Sequence, residues 1–315
     1  MRVSGVLAAL IVVLLGGCVS LPQSDALREL PPAGLPQRVE LTQVPFHAQD
    51  DYLCGPASLA MLFDAAGAPA SVESLTPQVY LPQREGSLQA EMLGATRRSG
   101  LVAYTPPPSM EAVLREIAAG MPVVVLLNLG VGWFPIWHYA VVIGYDLERR
   151  KLILRSGRNA REEWNYRLFE YSWRDGGYWS MLALPPGRIP ATAQEADFAA
   201  AVAALERAGK PGEALASYRA LVQRWPASFV GLIGQGNTAY ASGNLDEAEM
   251  AFRRAAAARP DSAAALNNLA FVLFRKGRLD EAEQAARAAV ALGGATLEEA
   301  RKTLDTILAQ KLKRS

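Results

Sequence analysis

Cys54 is one of two cysteines and His138 one of two histidines in a chain of 315 residues. A thiol, an imidazole base and a third group that holds the ring are the minimum for covalent acyl transfer. The thiol lies just before an apolar run in which Leu59, Leu62 and Phe63 share one helical face. Pro56 is tolerated only in the first turn of that helix, so Cys54 falls at or just before its N-terminus. Free backbone N–H groups and the positive end of the helix dipole favour a thiolate there, below the ordinary value of about 8.5. Gln49, just upstream, carries an amide that could point at a developing oxyanion. The plainer readings are a small core cysteine and a hydrogen-bonded core histidine. His47 stands too near Cys54 along the chain to face it across a cleft and reads as structural.

The elements that must position these groups follow from periodicity. A short strand is expected over Leu41 to Phe46, then the Cys54 helix, then helices over Ser87 to Arg98 and Ser109 to Ala119, each opened by a capping serine. Pro122 to Asn128 is an apolar run of strand length, buried on both faces. After a loop of glycines and aromatics, His138 to Tyr145 and Lys151 to Ser156 form a hairpin, and Tyr178 to Leu184 closes the sheet. An aspartate at the hairpin turn, Asp146, is about 25 Å from His138 at strand rise and cannot orient the ring. Ser156, across the hairpin, can do so through its hydroxyl, as can Asn159 if its loop folds back.

Length calls for two domains. Half the residues are hydrophobic and the net charge is +1, with no basic footprint for nucleic acid. Nothing in the pattern calls for a cofactor or a metal. Residues 1–17 have the layout of an export signal, with Arg2, an apolar stretch too short to span a bilayer, and two glycines. Leu15-Gly-Gly-Cys18 resembles a bacterial lipobox, which implies cleavage before a lipid-modified Cys18 and leaves Cys54 a free thiol. Without an aspartate after the cysteine, that resemblance implies the outer membrane, facing the periplasm. Residues 18–38 read as a tether, 39–184 as the catalytic domain and 185–196 as a Pro-rich linker. Beyond it Ala214, Ala248 and Ala282, and Pro226 and Pro260, recur at the 34-residue tetratricopeptide period. Residues 197–315 are therefore an all-α repeat domain of helix hairpins with glycine at each turn, closed by a capping helix over Leu297 to Leu312. The aromatic four residues after each alanine is Tyr218, then Phe252, but Ala286 in the last unit. Cleavage within residues 186–194 should release two folded pieces.

The stretches Val44-Pro-Phe-His-Ala-Gln49, Cys54-Gly-Pro-Ala-Ser58 and His138-Tyr-Ala-Val-Val-Ile-Gly-Tyr145 resemble the bacteriocin-processing, double-glycine cysteine peptidases of the papain-like superfamily. The chain is similar in particular to lipoproteins in which such an α+β domain precedes tetratricopeptide repeats. The resemblance implies Cys54 as nucleophile, His138 as general base and Gln49 as oxyanion donor. It also implies an aspartate after His138, where this chain has Leu154-Arg-Ser-Gly157 and no acid. Three functions remain open: an endopeptidase acting on peptides or proteins through a thioester, a binding protein whose cleft holds a peptide uncut, and a cell-wall amidase or transpeptidase. The repeats offer a concave surface to a protein partner.

Overall fold

The computed structural model describes residues 20–48, 52–131 and 133–314. The export signal, Cys18 and Gln49 lie outside the described residues.

Helix α1 (Pro22–Glu29) comes first, within the stretch expected to be a tether. It is seated rather than loose. Its leading N–H groups, on Gln23 and Ser24, donate to the two carboxylate oxygens of Glu170 at 3.0 and 2.6 Å. A carboxylate there satisfies orphan donors and faces the positive end of the dipole. Leu21 and Leu27 are buried beneath the helix.

Strand β1 (Arg38–Glu40) follows, ending before the stretch expected to hold it. Pro45 has no N–H to give a ladder, so residues 41–46 run as turns instead. Helix α2 (Cys54–Ala65) begins at the cysteine, and every residue from Gly55 to Phe63 is buried. Such an all-round apolar helix belongs in the middle of a domain. Helix α3 (Val72–Val79), capped by Ser71, leads into a small hairpin of β2 (Tyr80–Leu81) and β3 (Gly86–Ser87). Helix α4 (Gln89–Arg98) starts two residues later than expected, because Ser87 is spent in β3 and its cap position is Leu88. After β4 (Val102–Tyr104), helix α5 (Met110–Ala118) is capped by Ser109, whose hydroxyl accepts from the Ala112 N–H.

The sheet is antiparallel throughout, in the order β4, β9 (Ser180–Leu184), β5 (Val123–Asn128), β6 (Trp137–Asp146), β7 (Lys151–Ser156), β8 (Asn159–Asn165). Beyond the start of β5, where Val123 pairs with Val142, β1 takes the place beside β6, pairing Glu40 with Gly144. A Cβ on Gly144 would meet the Val39 carbonyl oxygen at 2.6 Å, so only glycine admits β1 there. The β6–β7 register slips between Val142 and Gly144, and this bulge sets which β7 side chain reaches back to His138. Helix α6 (Tyr166–Asp175), capped by Asn165, lies against β5 and β7. An antiparallel sheet with its helices in runs between strands is the α+β architecture.

Strand β9 ends at Leu184 and helix α7 (Glu195–Arg207) begins at Glu195. The segment between is pinned. Glu116 accepts from the N–H groups of Ala191 and Thr192 and from the Thr192 hydroxyl, at 2.5–3.0 Å. Phe198, Val202 and Leu205 of α7 share one apolar core with β4, and Phe198 meets Tyr104 edge-on at 6.3 Å. The sheet domain and the first repeat thus share buried apolar surface.

The repeats are hairpins. Helix α7 pairs with α8 (Pro211–Arg224), α9 (Phe229–Ala241) with α10 (Leu245–Ala258), and α11 (Ala263–Arg275) with α12 (Leu279–Leu292), closed by α13 (Leu297–Leu312). Gly209, Gly243 and Gly277 turn the chain within each pair at φ of +79°, +79° and +76°. The aromatic that changes in the last unit has a partner that changes with it. Phe252 covers Gly236, where any Cβ would collide with its ring, whereas Ala286 stands opposite a unit with Ala270 at the equivalent place. One large and one zero-size side chain are exchanged for two small ones. Among the described residues no helix is long and apolar enough to cross a membrane.

Candidate active site

Cys54 is the first residue of α2 and is a half-buried free thiol. Its position follows from Tyr52, held at φ +68°, which turns the chain sharply into the helix. Gly55 is required beside it, because a Cβ would collide with the side chain of Ser87. That contact packs the β2–β3 hairpin against the helix start. The backbone N–H groups of Tyr139, Gly55 and Cys54 itself lie against the sulfur and favour its anion, yet burial outweighs them and pushes the thiol up. The thiolate expected at this helix N-terminus is thus not the resting state. The dipole argument omits desolvation, which is the larger effect here.

His138 lies on β6 opposite Leu127 of β5. Its Nε2 is 3.1 Å from the Ser156 hydroxyl oxygen, leaving Nδ1 as the other ring nitrogen. Burial pushes the imidazole below its ordinary value, and the negative charge of Glu162 opposes that. Cys54 and His138 therefore both rest neutral near pH 7. Asn159 does not turn toward His138. Its side-chain amide donates to Glu162 Oε1, while Trp164 Nε1 donates to Glu162 Oε2 at 3.1 Å. Glu162 was invisible to the sequence argument because β8 reads as a charged loop. Only the apolar Trp164 within Asn159 to Asn165 hints at a strand. His47, read as structural, has Nε2 2.7 Å from Asp64 Oδ2.

Cys54 and His138 line one cleft of about 1130 Å³. One wall is the β2–β3 hairpin with Arg84, Glu85 and Ser87, and the other is the β5–β6 loop with Phe134, Ile136 and Trp137. Tyr139, on the cleft floor, is held by a hydrogen bond from its hydroxyl to the Ser87 carbonyl at 3.2 Å. Burial pushes that phenol far up. The Ser87 hydroxyl is buried and has no hydrogen-bond partner among the described residues. The described residues contain no cluster of side chains able to hold a metal ion.

Residues 41–181 match the Peptidase_C39 like family, and residues 233–295 match the tetratricopeptide repeat. No curated protein matches the chain. Among solved structures, a putative C39-like peptidase from Bacillus anthracis is 19% identical, covering 46% of this chain and 96% of its own, with a TM-score of 0.40. The Yersinia enterocolitica type III secretion chaperone SycD, in complex with a peptide of the translocator YopD, is 22% identical. It covers 38% of this chain and 92% of its own, with a TM-score of 0.34. The Sgt2 tetratricopeptide domain from Aspergillus fumigatus is 17% identical over 38% of this chain and 82% of its own, with a TM-score of 0.35. Residues 41–181 thus form a Peptidase_C39-like domain, followed in the same chain by tetratricopeptide repeats.

Proposed function

We propose that this chain is a lipid-anchored cysteine endopeptidase of the bacterial cell envelope, acting on peptide or protein substrates, with repeats that hold a partner. The observation that carries the reading is one cleft containing both Cys54, at a helix N-terminus, and His138, whose Nε2 is engaged by Ser156. With Ser156 accepting from Nε2–H, Nδ1 has the lone pair of a general base. It takes the Cys54 proton as sulfur attacks the scissile carbonyl. The oxyanion is met by the Cys54 N–H, and Gln49 is proposed as the second donor. The imidazolium then gives its proton to the departing amine, leaving a thioester. Water, deprotonated by the same imidazole, hydrolyses it to the acid and restores the thiol. A pair that rests neutral makes His138 a true base rather than half of a standing ion pair.

Anchoring rests on Leu15-Gly-Gly-Cys18, with the outer membrane as the proposed site. Cys18→Ser should abolish lipid labelling and move the protein to the soluble fraction. A wild-type protein already soluble and starting elsewhere would overturn it.

A second reading, a cleft that binds peptide without cutting it, is favoured by one observation. Burial disfavours ionisation of both Cys54 and His138, and the ring is held by a hydroxyl rather than a carboxylate. A peptide substrate library analysed by mass spectrometry separates the two. Cleavage lost in Cys54→Ala supports the peptidase, and tight binding with no product supports the binder.

A further inference from the structure

Between β5 and β6 the chain forms a short extension of the hairpin that ends in exposed apolar side chains. Trp133 is 90% exposed, and Leu129 and Val131 are also exposed. None of these three lines the cleft, which is faced instead by Phe134, Ile136 and Trp137. The extension is built rather than loose. Val131 and Phe134 exchange backbone hydrogen bonds, and Leu129 donates to Ile136. At its base the Asn128 side-chain oxygen accepts from the N–H groups of Gly130 and Ile136, while its amide donates to Asp175. A Cβ on Gly130 would collide with the Phe134 carbonyl, so the turn-back needs glycine there.

Asp175 is the last residue of α6, the helix whose Glu170 receives the start of α1. Leu21 is buried there, and Cys18 lies three residues before it, within about 10 Å at full extension. From Glu170 to Asp175 is about 7 Å along the helix. The exit toward the anchor and the base of the aromatic tip therefore flank the same helix. We propose that the tip bearing Leu129, Val131 and Trp133 inserts into the interfacial layer of a lipid bilayer, holding the mouth of the cleft at the membrane surface. The geometry rests on the anchored reading above. Tryptophan suits this layer, with an apolar body and one N–H for the headgroups. Apolar contact at a second point also strengthens an anchor, since membrane attachment by acyl chains gains from a second signal.

The test uses the full chain with Cys18→Ser, which cannot be acylated, mixed with phosphatidylethanolamine–phosphatidylglycerol vesicles. A fraction of it should sediment with an excess of vesicles, a weak and reversible attachment that still leaves the variant in the soluble fraction of a dilute extract, and brominated lipid should quench part of its tryptophan fluorescence. Trp133→Ser should weaken partitioning on the order of tenfold or more and abolish that quenching. Val230→Ser, at an exposed apolar site on the repeats, should leave both unchanged. No partitioning, or equal partitioning and quenching in Trp133→Ser, overturns the inference. Protection of Trp133 by a peptide in the absence of lipid, with none from vesicles, also overturns it and assigns the tip to peptide binding. Acylation of wild-type Cys18 and labelling of Cys54 by a cysteine-directed probe are scored separately. Failure of the membrane tip is thereby distinguished from failure of the anchor or the peptidase.

Discussion

Ser156 Oγ stands 3.1 Å from His138 Nε2, so a hydroxyl occupies the place beside the imidazole where a carboxylate would hold a charge. A hydroxyl fixes ring orientation without stabilising an imidazolium. Ser156→Ala should therefore reduce turnover about tenfold or less, the size of one neutral hydrogen bond. Ser156→Asp should raise the His138 pKa. Since the base acts only when neutral, the acidic limb of the kcat/KM profile should move to higher pH. An unmoved limb would show that Ser156 does not hold the ring.

Glu162 makes the opposite test. Its negative charge favours protonated His138, against the larger effect of burial. Glu162→Gln should let the imidazole pKa fall further, so the acidic limb moves to lower pH. With only two histidines in the chain, proton NMR titration follows His138 directly, with His47 as internal reference.

That Cys54 and His138 would line one cleft was legible from residue types, since only two cysteines and two histidines had to be sorted and Pro56 fixed where the helix begins. The repeats were legible for a different reason, because a 34-residue period registers alanine, glycine and proline together. What the sequence could not show was depth. The helix-terminus argument favoured a thiolate at Cys54, but the degree of burial depends on how β6 and the β2–β3 hairpin close over the sulfur. Nor could it show that Glu170 seats the segment before the domain, 146 residues away in sequence. The pinned linker was hidden for the same reason, since Glu116 is an ordinary helix residue until residues 191 and 192 fold onto it.

Burial of the thiol gives a pH prediction. A raised pKa means thiolate accumulates only on the alkaline side of the ordinary cysteine value. Alkylation of Cys54 by iodoacetamide should be slow at pH 7 and climb steadily into the alkaline range. Fast alkylation persisting at mildly acidic pH would show that a standing ion pair exists instead.

Coupling between the domains is open to proteolysis. A single cut within residues 186–194 should leave the two pieces associated, because Phe198, Val202 and Leu205 remain in the core shared with β4. Their separation as independently folded fragments on gel filtration would argue against that coupling.

Ala248 is fully buried where α10 meets its neighbours, and Ala248→Trp should cost on the order of 1–3 kcal/mol by overpacking. Met250→Trp, on the exposed side of the same helix, should change stability by about 0.5 kcal/mol or less. Thermal unfolding by circular dichroism compares them.

The central claim is that Cys54 is a nucleophile activated by His138. It is tested most directly by intact-mass measurement after incubation with a peptidyl acyloxymethyl ketone, which modifies a cysteine only when the cleft presents it to a bound peptide. The account predicts one adduct per chain, mapped to Cys54, and a labelling rate reduced by roughly 10²-fold or more in His138→Ala. An unlabelled wild-type protein, or a His138→Ala variant labelled as fast as wild type, would contradict it.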